Sequence, residues 1–98
     1  MDNIELEEAI AYLQKEGNGK FDGNDNYGKS KINYLKKLIL MDNKELEKEC
    51  ESTIWLSAYA NNNVRSDYHW QCDCCYTECG RRNEEIIYKK AYKAASCS

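Results

Sequence analysis

The 98-residue sequence contains no proline, a single histidine and a single phenylalanine, and its uninterrupted apolar stretches, such as Leu38 to Met41, are at most five residues long. A helix that spans a bilayer needs about 20 apolar residues, so no segment predicts a membrane span. The acidic N-terminus also lacks the basic and then apolar order of a secretory signal peptide. We therefore expect a cytoplasmic protein with no membrane partner.

Motifs of common zinc enzymes are missing as well. The chain has neither the HExxH of metalloproteases nor the His-x-Glu and Pro-Cys-x-x-Cys pair of zinc deaminases. His69 and Cys72 have the spacing of a base and a nucleophile, but no third group is available to orient them. Glu78 is predicted to be a solvated helix residue and not a general base. We predict that the protein is not an enzyme.

The glycine-rich segment 17–28 resembles a calcium loop only in part. Asp22, Asn24 and Asn26 have the right spacing, but Tyr27 replaces the glycine of an EF-hand and Asn33 replaces its bidentate glutamate. We expect neither calcium nor nucleotide binding in this segment.

Charge is unevenly distributed along the chain. The formal net charge is -3, and residues 1–60 carry twelve acidic and eight basic residues, whereas 61–98 carry five and six. An acidic half is either solvated or complementary to a basic partner. The length allows a single domain over residues 1–98, in which 1–60 form an acidic helical part and 61–98 a cysteine-rich part with a C-terminal helix. We expect a monomer.

Apolar spacing predicts an all-α fold, a small bundle of about five helices. Asp2 or Asn3, Ser30, Asp67 and Asn83 are predicted to begin helices, and Asp42 with Glu45 has the spacing of a capping box. Gly17 and Gly80 are predicted to end helices, and Asn61, Asn62 and Asn63 form a polar break. In the third helix, Trp55 and Tyr59 are predicted to pack in the core, with an exposed partner-binding patch as the alternative.

The segment from Tyr68 to Arg82 contains four of the six cysteines and the only histidine. Its pattern His69-x2-Cys72-x2-Cys75-x3-Cys79 offers the thiolate and imidazole ligands that zinc prefers. We therefore predict a Zn²⁺ site made by these four residues. The remaining cysteines are alternative ligands: Cys50, Cys74 and Cys97. The other interpretation is that the cysteines are reduced and pack in a helical core, since the cytoplasm keeps thiols reduced.

Helix geometry limits how zinc could bind. Cys72 and Cys79 would lie roughly 10 Å apart along one straight helix, but two thiolates on one zinc approach within about 4 Å of each other. Either residues 69–74 form a knuckle before a helix that begins near Cys75, or the helix is continuous. In the second case, Cys75 and Cys79 bind together with a remote group such as Cys50 or Cys97.

Basic and aromatic residues near the C-terminus favour a second function, a zinc-knuckle-type nucleic-acid-binding or regulatory module. Its basic residues are Arg65, Arg81, Arg82, Lys89, Lys90 and Lys93. Trp70, Tyr76, Tyr88 and Tyr92 are candidates for stacking on bases. The overall acidity and the absence of a second zinc motif in the sequence weigh against this function.

The short, acidic, proline-free chain, rich in Asn, Lys, Ile and Tyr, resembles accessory proteins of phages and mobile elements. The segments Ile54-Trp55-Leu56-Ser57-Ala58-Tyr59 and Tyr68-His69-Trp70, with the later Cys-Tyr-Thr-Glu-Cys-Gly-Arg-Arg, are similar to parts of zinc-containing anti-CRISPR proteins that inhibit type II-A Cas9. This resemblance implies a non-enzymatic zinc protein in a bacterial host cell that binds Cas9 and hinders target DNA binding. It assigns no residue to the partner surface.

Overall fold

The computed structural model describes residues 1–60 and 66–97, and the predicted all-α fold with five helices is confirmed in them. The helices are α1 (Asn3–Gly17), α2 (Lys31–Leu40), α3 (Asn43–Tyr59), α4 (Tyr68–Arg81) and α5 (Glu85–Ser96). These residues form no strand, and their β-type pairing is limited to an isolated antiparallel bridge between Asn24 and Ser30. The predicted polar break at 61–63 lies outside the described residues. No helix in 1–60 or 66–97 has the length and hydropathy needed to cross a membrane.

Three helices begin where the cap residues predict. The Asp2 carboxylate accepts a hydrogen bond from the backbone N–H of Glu5 at 2.8 Å, and the Ser30 hydroxyl accepts from Ile32 at 3.3 Å. Asp42 and Glu45 form both bonds of the predicted capping box, at 2.8 and 3.2 Å. These bonds satisfy N–H groups that have no partner within the helix.

Asp67 precedes α4 but makes no side-chain capping bond. Its carboxylate instead accepts the backbone N–H of Asn26 at 3.1 Å and the indole N–H of Trp70 at 2.9 Å. The predicted capping hydrogen bond of Asp67 is therefore wrong, because its carboxylate binds these two donors instead. Asp67 links the loop between α1 and α2 to the beginning of α4.

The turn between α4 and α5 also differs from prediction. Gly80 lies within α4, and the left-handed residue that follows the helix is Asn83, with φ of 57°. The N–H of Asn83 donates to the carbonyl of Gly80, and the N–H of Glu84 donates to the carbonyl of Cys79. This is the bond pattern of a Schellman motif. Asn83 therefore ends α4 and does not cap α5.

The long loop after α1 is anchored by Phe21, which is 1% exposed. Its ring packs so tightly against Gly17 that a Cβ atom there would overlap it. Further along, the Asp25 carboxylate accepts the backbone N–H groups of Tyr27 and Lys29 at 2.8 and 2.9 Å. The loop is thus attached to the core at one end and closed by a local turn at the other.

Helix α3 packs against both α4 and α5, and α4 also contacts α1 and α2. The apolar residues buried between them come from every helix and from the Phe21 loop. They are Ala9, Leu13, Phe21, Leu35, Leu38, Ile39, Leu46, Cys50, Ile54, Cys74, Cys75, Cys79, Ile87, Ala91 and Ala95. The buried apolar residues of α4 are therefore all thiols, whereas the other helices supply mainly aliphatic groups and α3 adds the thiol of Cys50.

A buried carboxylate joins three helices. The predicted solvent exposure of Glu78 is wrong, because its side chain is fully buried and bound by two guanidinium groups. Arg81 donates to both carboxylate oxygens at 2.6 and 2.7 Å, and Arg82 donates to one of them at 2.7 Å. Arg82 also donates to the carbonyls of Leu38 and Ile39 at the end of α2. These bonds neutralise the buried charge and attach the Arg82 guanidinium to carbonyls in the last turn of α2.

We expect the Arg82→Ala variant to lose roughly 3 kcal/mol of unfolding free energy, since removing one partner of a buried ion pair leaves its charge poorly compensated. The measurement is urea unfolding followed by far-UV circular dichroism. Lys20→Ala is the control, because Lys20 and Asp73 form an ion pair at 3.6 Å that is mostly exposed. We expect it to lose less than about 1 kcal/mol. Equal small losses in both variants would contradict a stabilising role for the Glu78 network.

Candidate functional site

Three thiols converge where α3 faces α4. Cys50 extends from α3, and Cys75 and Cys79 extend from successive turns of α4; all three are fully buried. The sulfur atoms of Cys50 and Cys79 are 3.7 Å apart. Two oxygens complete the surroundings of Cys75 Sγ: the Thr53 hydroxyl donates to it at 3.5 Å, and the Tyr34 hydroxyl lies 3.6 Å away. We call Cys50, Cys75 and Cys79 the thiol cluster.

Hydrogen bonding makes the three thiols unequal. A hydrogen bond with Cys50 is the main reason that the pKa values of Cys75 and Cys79 are lowered from the usual value for cysteine. The same hydrogen bonds raise the pKa of Cys50, which therefore holds its proton more tightly. Burial raises the pKa of the adjacent Tyr34 hydroxyl. Thiolate character is therefore favoured at Cys75 and Cys79.

The structure does not bring together the four residues of the local zinc pattern. Helix α4 is continuous from Tyr68 to Arg81, so the knuckle geometry at residues 69–74 is not adopted. The two ring nitrogens of His69 lie 2.7 Å from the Ser57 hydroxyl and 3.2 Å from the Ala60 carbonyl. The Cys72 sulfur lies 3.2 Å from the Tyr88 hydroxyl. The observed arrangement matches the continuous-helix alternative, in which Cys50 meets Cys75 and Cys79.

The other alternative ligands lie outside the thiol cluster. Cys74 is buried, and burial raises its pKa, whereas Cys97 is exposed at the end of α5. Within 1–60 and 66–97, no group of three or more His, Cys, Asp or Glu side chains is arranged to hold a metal ion. The Cys50–Cys79 separation nevertheless falls within the approach of about 4 Å that two thiolates on one zinc require. Cys50 and Cys79 thus meet the distance requirement for two zinc ligands, but the described residues do not supply a complete ligand set.

A second feature is an exposed aromatic surface on α3 and α5. The predicted core packing of Trp55 and Tyr59 is wrong: their side chains are 44% and 80% exposed, and their rings stack with centroids 5.1 Å apart. Trp55 and the exposed Tyr92 of α5 border a cavity of about 140 Å³ with Ile54 and Ala58. We call Trp55, Tyr59 and Tyr92 the aromatic face.

The predicted basic surface is only partly available. Arg81 and Arg82 are largely buried in the Glu78 network, and Arg65 lies outside the described residues. Lys89, Lys90 and Lys93 are exposed along α5.

The predicted stacking residues divide between the interior and the surface. The ring of Trp70 packs edge-on against Tyr34 with centroids 5.4 Å apart, and the Lys31 ammonium lies over it at 4.9 Å. Tyr88 is half-buried, whereas Tyr76 and Tyr92 are exposed. Trp70 is therefore engaged by Tyr34 and Lys31 within the protein.

The segment Gly23–Ser30, with the sequence GNDNYGKS, matches the GxxxxGK[ST] spacing of phosphate-binding loops. In those proteins the loop follows a strand, and its backbone N–H groups bind phosphate. Here no strand precedes it in the described part of the chain, and the N–H groups of Tyr27 and Lys29 donate to Asp25. The N–H of Asn26 donates to Asp67. Carboxylates of the protein thus occupy the donors that a phosphate would need.

Burial predicts a sharp order of thiol reactivity. In the folded protein, an aromatic disulfide reagent is expected to modify Cys97 rapidly, because Cys97 is exposed. Cys72 should react more slowly, since it is half-buried and burial raises its pKa. The four fully buried thiols should react only after unfolding. Mass spectrometry of timed samples gives the order, with Cys97→Ser as the control that removes the first reaction. Rapid modification of Cys50 or Cys79 would contradict this packing.

No protein-family model, curated protein or solved structure matches the chain. Its function is therefore inferred from the thiol cluster, the aromatic face and the charges around them.

Proposed function

We propose that this chain is a non-enzymatic protein that acts by binding another protein through its aromatic face. The observation that carries the proposal is the exposure of Trp55 and Tyr59 on a helix whose opposite side is in the core. Tryptophan and tyrosine dominate the binding energy of many protein interfaces, since each buries a large ring at small entropic cost. Stacking of the two rings holds them in place before a partner arrives.

The proposed target is a bacterial nucleic-acid-handling protein, specifically type II-A Cas9, whose binding to target DNA would be hindered. Two observations support this choice: the resemblance of the sequence to anti-CRISPR proteins and the excess of acidic residues in 1–60. Proteins that bind nucleic acid present basic surfaces, and an acidic inhibitor is complementary to them. Direct nucleic-acid binding has weaker support, because Glu78 engages Arg81 and Arg82.

Inhibition is tested by mixing the purified protein with Cas9 and guide RNA and measuring cleavage of target DNA. The parent protein is expected to reduce cleavage in proportion to its molar ratio. Trp55→Ala is expected to raise the concentration needed for half inhibition at least about tenfold, the effect of losing one interface hot spot. Thermal melts of both proteins verify that the fold is intact.

Tyr27→Ala is the matched control, since Tyr27 is 85% exposed but lies in the loop far along the chain from α3. Its inhibition is expected to equal that of the parent. Undiminished cleavage at a large molar excess of the parent would reject Cas9 as the target. If a pull-down from bacterial lysate then recovers the same proteins with parent and Trp55→Ala, the aromatic face is not the binding surface.

We also propose that Zn²⁺ binds at the thiol cluster through Cys50, Cys75 and Cys79. Support comes from the separation of 3.7 Å between Cys50 and Cys79 and from the lowered pKa of Cys75 and Cys79, because thiolates are the form that binds metal. The metal would have a structural role and would hold α3 against α4. In a domain this small, such a link adds appreciably to stability.

Zinc occupancy is measured by elemental analysis of protein purified without added metal. Cys50→Ser and Cys79→Ser are expected to lose the metal, whereas His69→Ala retains it, because the His69 ring contacts Ser57 and Ala60. Cys74→Ser is the control for placing a hydroxyl at an equally buried position. A chelator should lower the melting temperature of the parent. A metal-free parent with an unchanged melt would show that these cysteines only pack.

A further inference from the structure

A groove separate from the aromatic face lies along α1 and α4. It consists of two adjoining cavities of about 370 and 270 Å³ that share Tyr12. The first lies beside Glu5 and Glu8 of α1, and the second is bordered by Glu16, by Tyr76 of α4 and by Glu85 at the start of α5. We call this region, lined by Tyr12, Tyr76 and the four glutamates, the acidic groove.

The groove combines exposed rings with carboxylates. Tyr12 and Tyr76 are 41% and 59% exposed, and Tyr76 is supported by an edge contact with Tyr88 at 5.1 Å between centroids. A tyrosine ring attracts a cation over its face, and arginine makes this contact more often than lysine. A nearby carboxylate can accept two parallel hydrogen bonds from the same guanidinium. Rings and carboxylates in one groove therefore fit a guanidinium better than either group alone.

The charge of the groove is strongly one-sided. Four glutamates line it, against two cationic groups among its lining residues, the Arg81 guanidinium and the Met1 amino group. The Nε and Nη2 groups of Arg81 donate to the buried Glu78 carboxylate at 2.6 and 2.7 Å, and this bonding raises the pKa of Arg81. Arg81 is thus committed to Glu78, and the groove retains a negative potential that selects basic ligands.

We propose that the acidic groove binds an arginine-rich segment of the target protein. This inference rests on the proposed function and deepens it, because it names the chemistry that the target presents. The occupant is a protein segment and not a nucleic acid, since phosphates would be repelled by the carboxylates. The aromatic face on α3 and α5 and the acidic groove on α1, α4 and the start of α5 then form two contact regions, the first mainly apolar and the second electrostatic.

The test uses a fluorescent nine-residue arginine peptide and requires no knowledge of the target. The triple variant Glu8→Gln/Glu16→Gln/Glu85→Gln removes three charges from the groove. The control Glu7→Gln/Asp22→Asn/Glu47→Gln removes three charges from positions that do not line it. We expect the groove variant to weaken peptide binding by about tenfold or more at low salt, and the control by much less. Tyr12→Leu is expected to weaken binding with no change in net charge.

The outcomes separate a specific groove from general attraction between opposite charges. Equal weakening in the two triple variants, or no binding by the parent at low salt, would overturn the proposal. Backbone amide shifts on peptide addition must cluster on α1, α4 and the start of α5, and shifts centred on α3 would also overturn it. Failure of Cas9 inhibition leaves this assay unaffected, and failure of peptide binding leaves the role of the aromatic face unaffected. Thermal melts confirm that each variant is folded.

Discussion

The Glu78 carboxylate, held without solvent contact between two guanidinium groups, is the interaction on which the arrangement of the helices depends. A lone buried charge would strongly oppose folding, so Glu78 is tolerated only with Arg81 and Arg82 in place. Arg82 continues from the carboxylate to the last carbonyls of α2 and to the Asn43 side chain at the start of α3. Arg82, the residue directly after α4, thereby links α4 to two other helices.

The same helix shows how one short segment meets several requirements. Its core side carries the small thiols of Cys74, Cys75 and Cys79, which permit a close approach of α3. Its surface carries Tyr76, which forms part of the acidic groove. Its two ends are held by polar contacts, at Asp67 to the loop and at Asn83 to the turn. Helix α4 is thus the element to which the loop, the groove and the thiol cluster are all attached.

Local sequence patterns were sufficient to predict the five helices and three of their N-terminal caps. Capping depends on side chains a few residues apart, so Asp2, Ser30 and Asp42 could be assigned without knowledge of the fold. Burial depends on neighbours that are distant in sequence. Trp55 and Tyr59 have a helical spacing that suits a core, but no element of the described structure covers them. Phe21 lies in a polar loop and is nevertheless buried against Gly17.

For two of the wrong predictions, those for Glu78 and Asn83, the sequence itself contains a pattern that is compatible with the observed structure. Glu78 has arginines three and four residues later, the spacing at which helical side chains meet, and this pattern is compatible with a buried network as well as a solvated one. Asn83 follows a helix and tolerates the left-handed conformation, so it fits a helix end better than a helix start. The convergence of Cys50 with Cys75 and Cys79 could be named only as one alternative, because it depends on how α3 packs on α4.

The Schellman turn at Asn83 has a further consequence for the proposed association with a protein partner. Its two backbone hydrogen bonds hold the beginning of α5 against the end of α4, and α5 packs along α3, so that Tyr92 and Trp55 border the same cavity. A surface formed in advance loses little conformational entropy when it is covered, so less of the contact energy is spent on ordering side chains. Encounter would then proceed at the rate of diffusion and orientation, with no slow rearrangement of the helices beforehand.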